Sequence, residues 1–257
     1  MAVGNGCLGR KKEAQIVPPG PTPNAGFERA MDLLSRHDLR QATAALKRIQ
    51  FSGQSRAEIE PLTRLALADA TYYQNTKLGW IDARGLYLDF VTLNGDHPLA
   101  PYAQLQVGLC SLKQVARPSR DQGLTQQAIR DLTAVEDRWP DSIYVGAARN
   151  LLLQARATLA ESEFLVGRFY LKRKAYAAAI DRFRGVLIRF PEYPDADKLL
   201  FHLARAHERR GEVAEARLYL DRIVSAHPHG EYAERAQRML EATAEARGGA
   251  ESAELPG

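Results

Sequence analysis

Two stretches of this chain repeat one spacing of small, bulky and turn residues, and that repeat leaves few folds open. The first carries Gly167 and Tyr170, then Ala179 and Phe183, then Pro191. The second carries Ala204 and His207, then Ala216 and Leu220, then Pro228. In both, the leading small residue is followed by its counterparts at +3, +12, +16 and +24. These offsets suit two antiparallel helices, with small side chains where they touch, bulky ones between them, and a proline where the chain leaves. A hairpin of this kind cannot bury its apolar face alone and has to stack on further hairpins.

The pattern is that of the tetratricopeptide (TPR) repeat, whose arrays offer grooves to polypeptides and seldom carry out chemistry. The alanine at the crossing of each second helix tracks the array as Ala42, Ala83, Ala128, Ala179 and Ala216, with spacings of 41, 45, 51 and 37 residues. All exceed the roughly 34 residues of an ideal repeat, so every connection carries an insertion. No alternating strand pattern runs anywhere in the chain. The expected fold is all-α: a TPR-like solenoid of about five helical hairpins, closed by a C-terminal capping helix.

Four prolines, Pro18, Pro19, Pro21 and Pro23, make residues 1–25 a flexible, extended tether. Repeats 1–3 are expected over 26–140. There Asp38 caps a second helix, and helix 58–75 carries Asp69 and Tyr73 on its apolar stripe. Gly79 is read as the break before helix 80–93. Residues 141–247 hold one long bridging helix over 142–173, repeats 4 and 5, and a capping helix ending at Arg247. The Gly-, Ala- and Glu-rich tail 248–257 is expected to be disordered.

With 45% apolar and 26% charged residues, the 257-residue chain has the composition of a soluble globular protein. It contains no run of the roughly 18–20 apolar residues that a membrane-spanning helix needs. A net charge of +4, without lysines clustered among aromatics, argues against nucleic acid. Gly4, Gly6 and Gly9 spell G-x-G-x-x-G with no strand before them, which is no nucleotide site. His202 and His207 stand five apart, off one helical face, and His227-Pro228-His229 lies in a turn, so no metal is expected. The carboxylates are scattered beside arginines at helix-pair spacing. These features point to a protein that is not an enzyme and holds no cofactor. Cys110, inside an apolar run, reads as a buried small hydrophobe. Cys7 stands apart, just after Gly6 and ahead of the polar, Pro-rich stretch.

Four segments stand out beyond the repeat. Two are His97-Pro98-Leu99-Ala100-Pro101-Tyr102 on to Gly108-Leu109, and Arg120-Asp121 through Gln127-Ala128 to Trp139-Pro140-Asp141-Ser142-Ile143-Tyr144. The third is Leu159-Ala160-Glu161 to Phe169-Tyr170 with Tyr176-Ala177-Ala178-Ala179, and the fourth is the early cysteine before a polar linker. Together they resemble the BamD family, the TPR lipoproteins of the machinery that assembles outer-membrane β-barrels, over roughly residues 26 to 240. It implies a signal-bearing, palmitate-modified lipoprotein on the periplasmic face of the outer membrane, held there only by a lipid on Cys7. The implied partners are the insertase BamA through its POTRA domains, unfolded outer-membrane barrel proteins, and the other lipoproteins of the Bam complex. Met1–Gly6 lacks the basic start and apolar core of a leader peptide, and Gly4 stands where a large aliphatic residue is usual. Two readings follow: a leader encoded upstream of Met1, or a member that is not acylated.

The alternatives are another TPR scaffold, either an adaptor coordinating cell division with the envelope or a cytosolic co-chaperone. No heptad run precedes Phe27, which counts against the first, and the Pro-rich tether after a cysteine counts against the second.

The TPR register places Lys198, Phe201, Arg205, Glu208 and Arg209 of the fifth repeat on its groove-lining row. Glu161, Phe164, Arg168, Leu171 and Lys172 occupy that row in the fourth. Arg168, Lys172, Lys198, Phe201, Arg205 and Arg209 are the expected partner-binding set, suited to a peptide with an apolar anchor and carboxylates. The competing reading is a solvated basic face with the phenylalanines turned into the core. Tyr72, Asn75 and Thr76, with Tyr102 and Lys113 on the next helix, form a second expected surface for extended chains. By resemblance, the Arg205 face would be the insertase side and the Tyr72 face the substrate side.

Overall fold

The computed structural model describes residues 25–51, 59–115 and 117–253, except the side chains of 51 and 244–253. The tether residues 1–24, Cys7 among them, and tail residues 254–257 lie outside the described residues. Eleven helices follow one another among the described residues, with no strand. They pair as α1 (Ala25–Ser35) with α2 (Leu39–Phe51), α3 (Glu60–Tyr72) with α4 (Lys77–Leu93), and α5 (Ala100–Lys113) with α6 (Gly123–Arg138). The series continues with α7 (Val145–Lys172) against α8 (Tyr176–Arg189) and α9 (Ala196–Arg210) against α10 (Val213–Ala226), and α11 (Ala233–Ala253) packs on the end. Each helix lies on the next, and first helices of neighbouring hairpins touch as well: α1 with α3, α5 with α7, and α7 with α9. This is a TPR-like stack of five hairpins and a cap.

The five crossing alanines, Ala42, Ala83, Ala128, Ala179 and Ala216, are all 0% exposed. The small-against-bulky rule holds where it was read from the repeat. A Cβ added to Gly167 would lie 2.5 Å from Cε1 of Phe183, sixteen residues on, and one added to Gly108 would lie 2.5 Å from Cδ2 of Leu132. Alanine at 167 gains about 1 kcal/mol of helix propensity, yet forcing a methyl against a buried ring costs about 1–3 kcal/mol or more. Gly167→Ala is therefore expected to destabilise by about 2 kcal/mol in urea unfolding, and Phe183→Leu in the same chain should restore part of it. A stabilised Gly167→Ala protein would contradict this packing.

Two differences from the sequence reading have physical causes. Gly79 lies inside α4, not before it. Thr76 caps the helix, its Oγ1 accepting from the Gly79 N–H at 3.0 Å. Gly79 is needed because a Cβ would stand 2.9 Å from both the Thr71 carbonyl oxygen and Thr76 Oγ1. Helix α11 continues through Ala253, so residues 248–253 are helical where a disordered tail was expected. Its Ala- and Glu-rich composition favours helix enough to carry two glycines. The turns inside hairpins 1, 2, 4 and 5 each hold a left-handed residue: His37 (φ 61°), Asn75 (φ 53°), Lys174 (φ 61°) and Gly211 (φ 88°). Of these, Gly211 is the residue type that adopts this conformation without a Cβ penalty.

The N-terminal hairpins bury polar groups that bind helices together. Asp69 of α3 is 3% exposed, and its Oδ1 accepts from the Tyr87 hydroxyl of α4 at 2.5 Å and the Tyr102 hydroxyl of α5 at 2.8 Å. Burial raises the Asp69 carboxyl to about 6, against the lowering effect of the two hydroxyls. Nearby, the Arg84 guanidinium of α4 holds Asp131 of α6 at 2.9 Å and Ser111 Oγ of α5 at 3.0 Å. Burial likewise pushes the Cys110 thiol up to about 12, so this cysteine is packing and not a reactive group.

Helix α7 spans 28 residues, about 42 Å at 1.5 Å per residue. Its first half supplies Val145, Ala148 and Leu152 to the core of hairpins 2 and 3. Its second half supplies Ala160 and Phe164 to the core that α8 and α9 complete.

Candidate functional site

A groove of about 460 Å³ opens between the C-terminal turns of α7 and the middle of α9. Arg168, Leu171 and Lys172 project from α7 at one-turn spacing, and His202, Arg205 and Arg209 from α9 at i, i+3 and i+7. Lys174, in the left-handed turn, and Tyr176, at the start of α8, complete the rim. Five cations thus converge: Arg168, Lys172, Lys174, Arg205 and Arg209. None has an ion-pair partner among the described residues.

The floor is apolar and aromatic. Phe164 is 0% exposed beneath the groove, with the Arg168 guanidinium 5.8 Å above its ring. His202 lies 5.2 Å from Phe164, ring centre to ring centre, and its Nδ1 is buried without a hydrogen-bond partner. Burial lowers the His202 pKa to about 4, helped by Arg168, Arg205, Lys198 and Arg235. The imidazole is neutral at neutral pH, and the groove's charge comes from arginine and lysine alone. An unneutralised cationic cleft over a low-dielectric floor concentrates field and attracts anions, carboxylates above all where Arg can pair in two-toothed fashion.

The structure brings together four of the six residues expected on this side: Arg168, Lys172, Arg205 and Arg209. Lys198 is spent elsewhere. Its Nζ lies 2.6 Å from Asp195 and 3.1 Å from Glu161, and rests 4.7 Å over the Phe164 ring. Glu161 also accepts from the Tyr193 hydroxyl, so it too is a strut between hairpins. Phe201 does not line the groove: it packs on Tyr232 at 5.1 Å, against the core that α11 completes. Phe164, expected to line the groove, is core. Sequence reasoning missed Lys174, whose turn conformation it could not see. It also missed His202, which sits one turn before Arg205 and was weighed only as a metal ligand.

The second expected surface does not assemble. Tyr72 and Tyr102 are 7% and 5% exposed, part of the core of hairpins 2 and 3, and Tyr102 spends its hydroxyl on Asp69. Asn75 serves as the left-handed turn residue, a conformation asparagine tolerates better than most. Thr76 is the α4 cap and Lys113 sits in the last turn of α5. Asn75, Thr76 and Lys113 are exposed, while the two tyrosines belong to the core.

Against known proteins, a family profile described as YfiO, outer membrane lipoprotein, matches residues 20–219. An "outer membrane protein assembly factor BamD" from Caulobacter vibrioides is 29% identical over 216 residues, covering 82% of this chain and 68% of that protein. The one from Xylella fastidiosa (strain Temecula1) is 28% identical over 161 residues, 59% of this chain and 55% of that protein. The Rickettsia prowazekii protein is 22% identical over 235 residues and 91% of each chain. Among solved structures, the Thermus thermophilus TPR protein TTC0263 overlaps 84% of this chain and 97% of its own, at 14% identity and a TM-score of 0.35.

Proposed function

This chain belongs to the YfiO family of outer membrane lipoproteins, and on that premise we propose that it works as an assembly factor for outer-membrane β-barrel proteins, by binding and without turnover. Its cationic groove between α7 and α9 takes an acidic segment of the POTRA domains of the BamA insertase. The N-terminal hairpins contact unfolded barrel substrates and further assembly lipoproteins, and a lipid on Cys7 holds the chain to the membrane. The observation that carries the docking reading is the convergence of Arg168, Lys172, Lys174, Arg205 and Arg209 on one cleft with no counter-charge of their own. Partner carboxylates would complete these cations, and Leu171 and Tyr176 give the segment apolar contact.

The test titrates the soluble POTRA array of the cognate insertase into the protein. Arg205→Glu with Arg209→Glu should weaken binding at least tenfold and flatten its salt dependence, while thermal unfolding stays near wild type because neither side chain forms a hydrogen bond or ion pair among the described residues. Unchanged affinity in the double variant would move insertase docking off this groove.

A further inference from the structure

Helix α4 carries an apolar stripe that nothing among the described residues covers. Leu78 is 67% exposed, Ile81 48% and Leu88 40%, and Gly85 lies between them on the same face. The order 78, 81, 85, 88 alternates three and four residues, the spacing of a helix-pairing seam. A Cβ at Gly85 would meet no atom within 4 Å, so the seam has a dent at its centre where another backbone can approach closely. Beside the stripe a cleft of about 600 Å³ runs between α2 and α4, over Leu67 and Thr71 of α3. Asp82 and Asp89, two turns apart on α4, project into it, both exposed and neither in an ion pair among the described residues.

We infer that this face is a docking site for an amphipathic helix of another protein, with an apolar stripe flanked on one side by lysine or arginine. The apolar stripe lies along Leu78, Ile81 and Leu88 and crosses over Gly85, and the cations reach Asp82 and Asp89. A second copy of this chain fits poorly. Antiparallel pairing of two α4 helices brings the Asp82 and Asp89 edges of the two copies together. Parallel pairing would set Lys77 against Asp82 but leave Asp89 unanswered, because Arg84 is already bonded to Asp131 and Ser111. The two acids would also repel an anionic bilayer. The site is independent of the α7–α9 groove and lies on different hairpins.

The probe is a pair of labelled helical peptides of about 21 residues, both with leucine at the seam positions, one flanked by lysine and the other by glutamate. Fluorescence anisotropy on the full chain should show the lysine peptide binding at least tenfold tighter. Asp82→Lys with Asp89→Lys should reverse that order, and Leu78→Ser with Ile81→Ser should abolish both, with circular dichroism unchanged because all four side chains are exposed. Equal binding of the two peptides, or an order that survives the aspartate changes, would overturn the inference. So would self-association in sedimentation that is lost on Leu78→Ser and Ile81→Ser, or binding to phosphatidylglycerol vesicles through the same leucines.

Discussion

Phe164→Ala should lower the unfolding free energy by about 3–5 kcal/mol, the range for emptying a phenylalanine site in a packed core. The ring is 0% exposed and stands 5.6 Å from Phe183, 6.4 Å from Tyr193 and 5.2 Å from His202, centre to centre. Lys198 and Arg168 lie over its face at 4.7 and 5.8 Å, attractions that an alanine cannot offer. The cost therefore has a functional side. With the ring gone, water reaches His202, and its pKa, held near 4 first of all by burial, should climb toward the ordinary histidine value. Guanidinium unfolding gives the stability, and an NMR titration of His202 gives the second readout. Phe164→Leu, which keeps most of the volume, should cost much less on both counts. A loss below about 1 kcal/mol for the alanine variant would mean that the floor of the groove collapses freely and does not hold the cations in place.

The second large effect depends on pH. Asp69 has a folded pKa near 6 against about 3.9 in an unfolded chain. Below about pH 4 the carboxyl is protonated in both states, and the folded form carries no penalty. As pH rises from about 4 to 6 the unfolded chain ionises this carboxyl while the folded protein holds it protonated, so stability is lost across that window, by about 3 kcal/mol for a shift of two units. Other carboxylates titrate in the same range, so the informative quantity is the difference between wild type and Asp69→Asn. The amide oxygen still accepts from Tyr87 and Tyr102 but has no charge to bury. From pH 4 to 7 the stability of wild type relative to the variant should fall by about that amount. Parallel curves would show that water or a rearranged hydroxyl solvates the ionised carboxylate.

The hairpin register was legible because it is a packing rule written at short range. Ala179 and Ala216 sit where two backbones cross, and a larger side chain there would separate them, so the small residue itself marks the contact. The cationic groove was half legible for the same reason: Arg168 with Lys172, and Arg205 with Arg209, fall on one face of one helix. What escaped depends on long-range partners. Tyr72 and Tyr102 read as contact surface because the acceptor for Tyr102, Asp69, lies 33 residues away. Lys198 read as a free cation although Asp195 stands three residues before it, and its second partner, Glu161, is 37 residues away. Asn75 looked like a side chain with a binding task, whereas its backbone makes the turn, and Gly79 looked like a helix break although it permits a helix to start close to its neighbour.

Helix α7 also has a consequence for how the molecule can vary. Leu152 belongs to one core and Ala160 to the next, with uninterrupted helix between them. The angular phase between the Arg84-braced half and the cationic groove is therefore counted in residues. Loosening side chains in either core leaves that phase intact, whereas inserting one residue between 152 and 160 would swing the groove about 100° around the axis and advance it about 1.5 Å. The molecule behaves as an indexed shaft: substitutions in α7 wear it, and insertions or deletions there re-aim it.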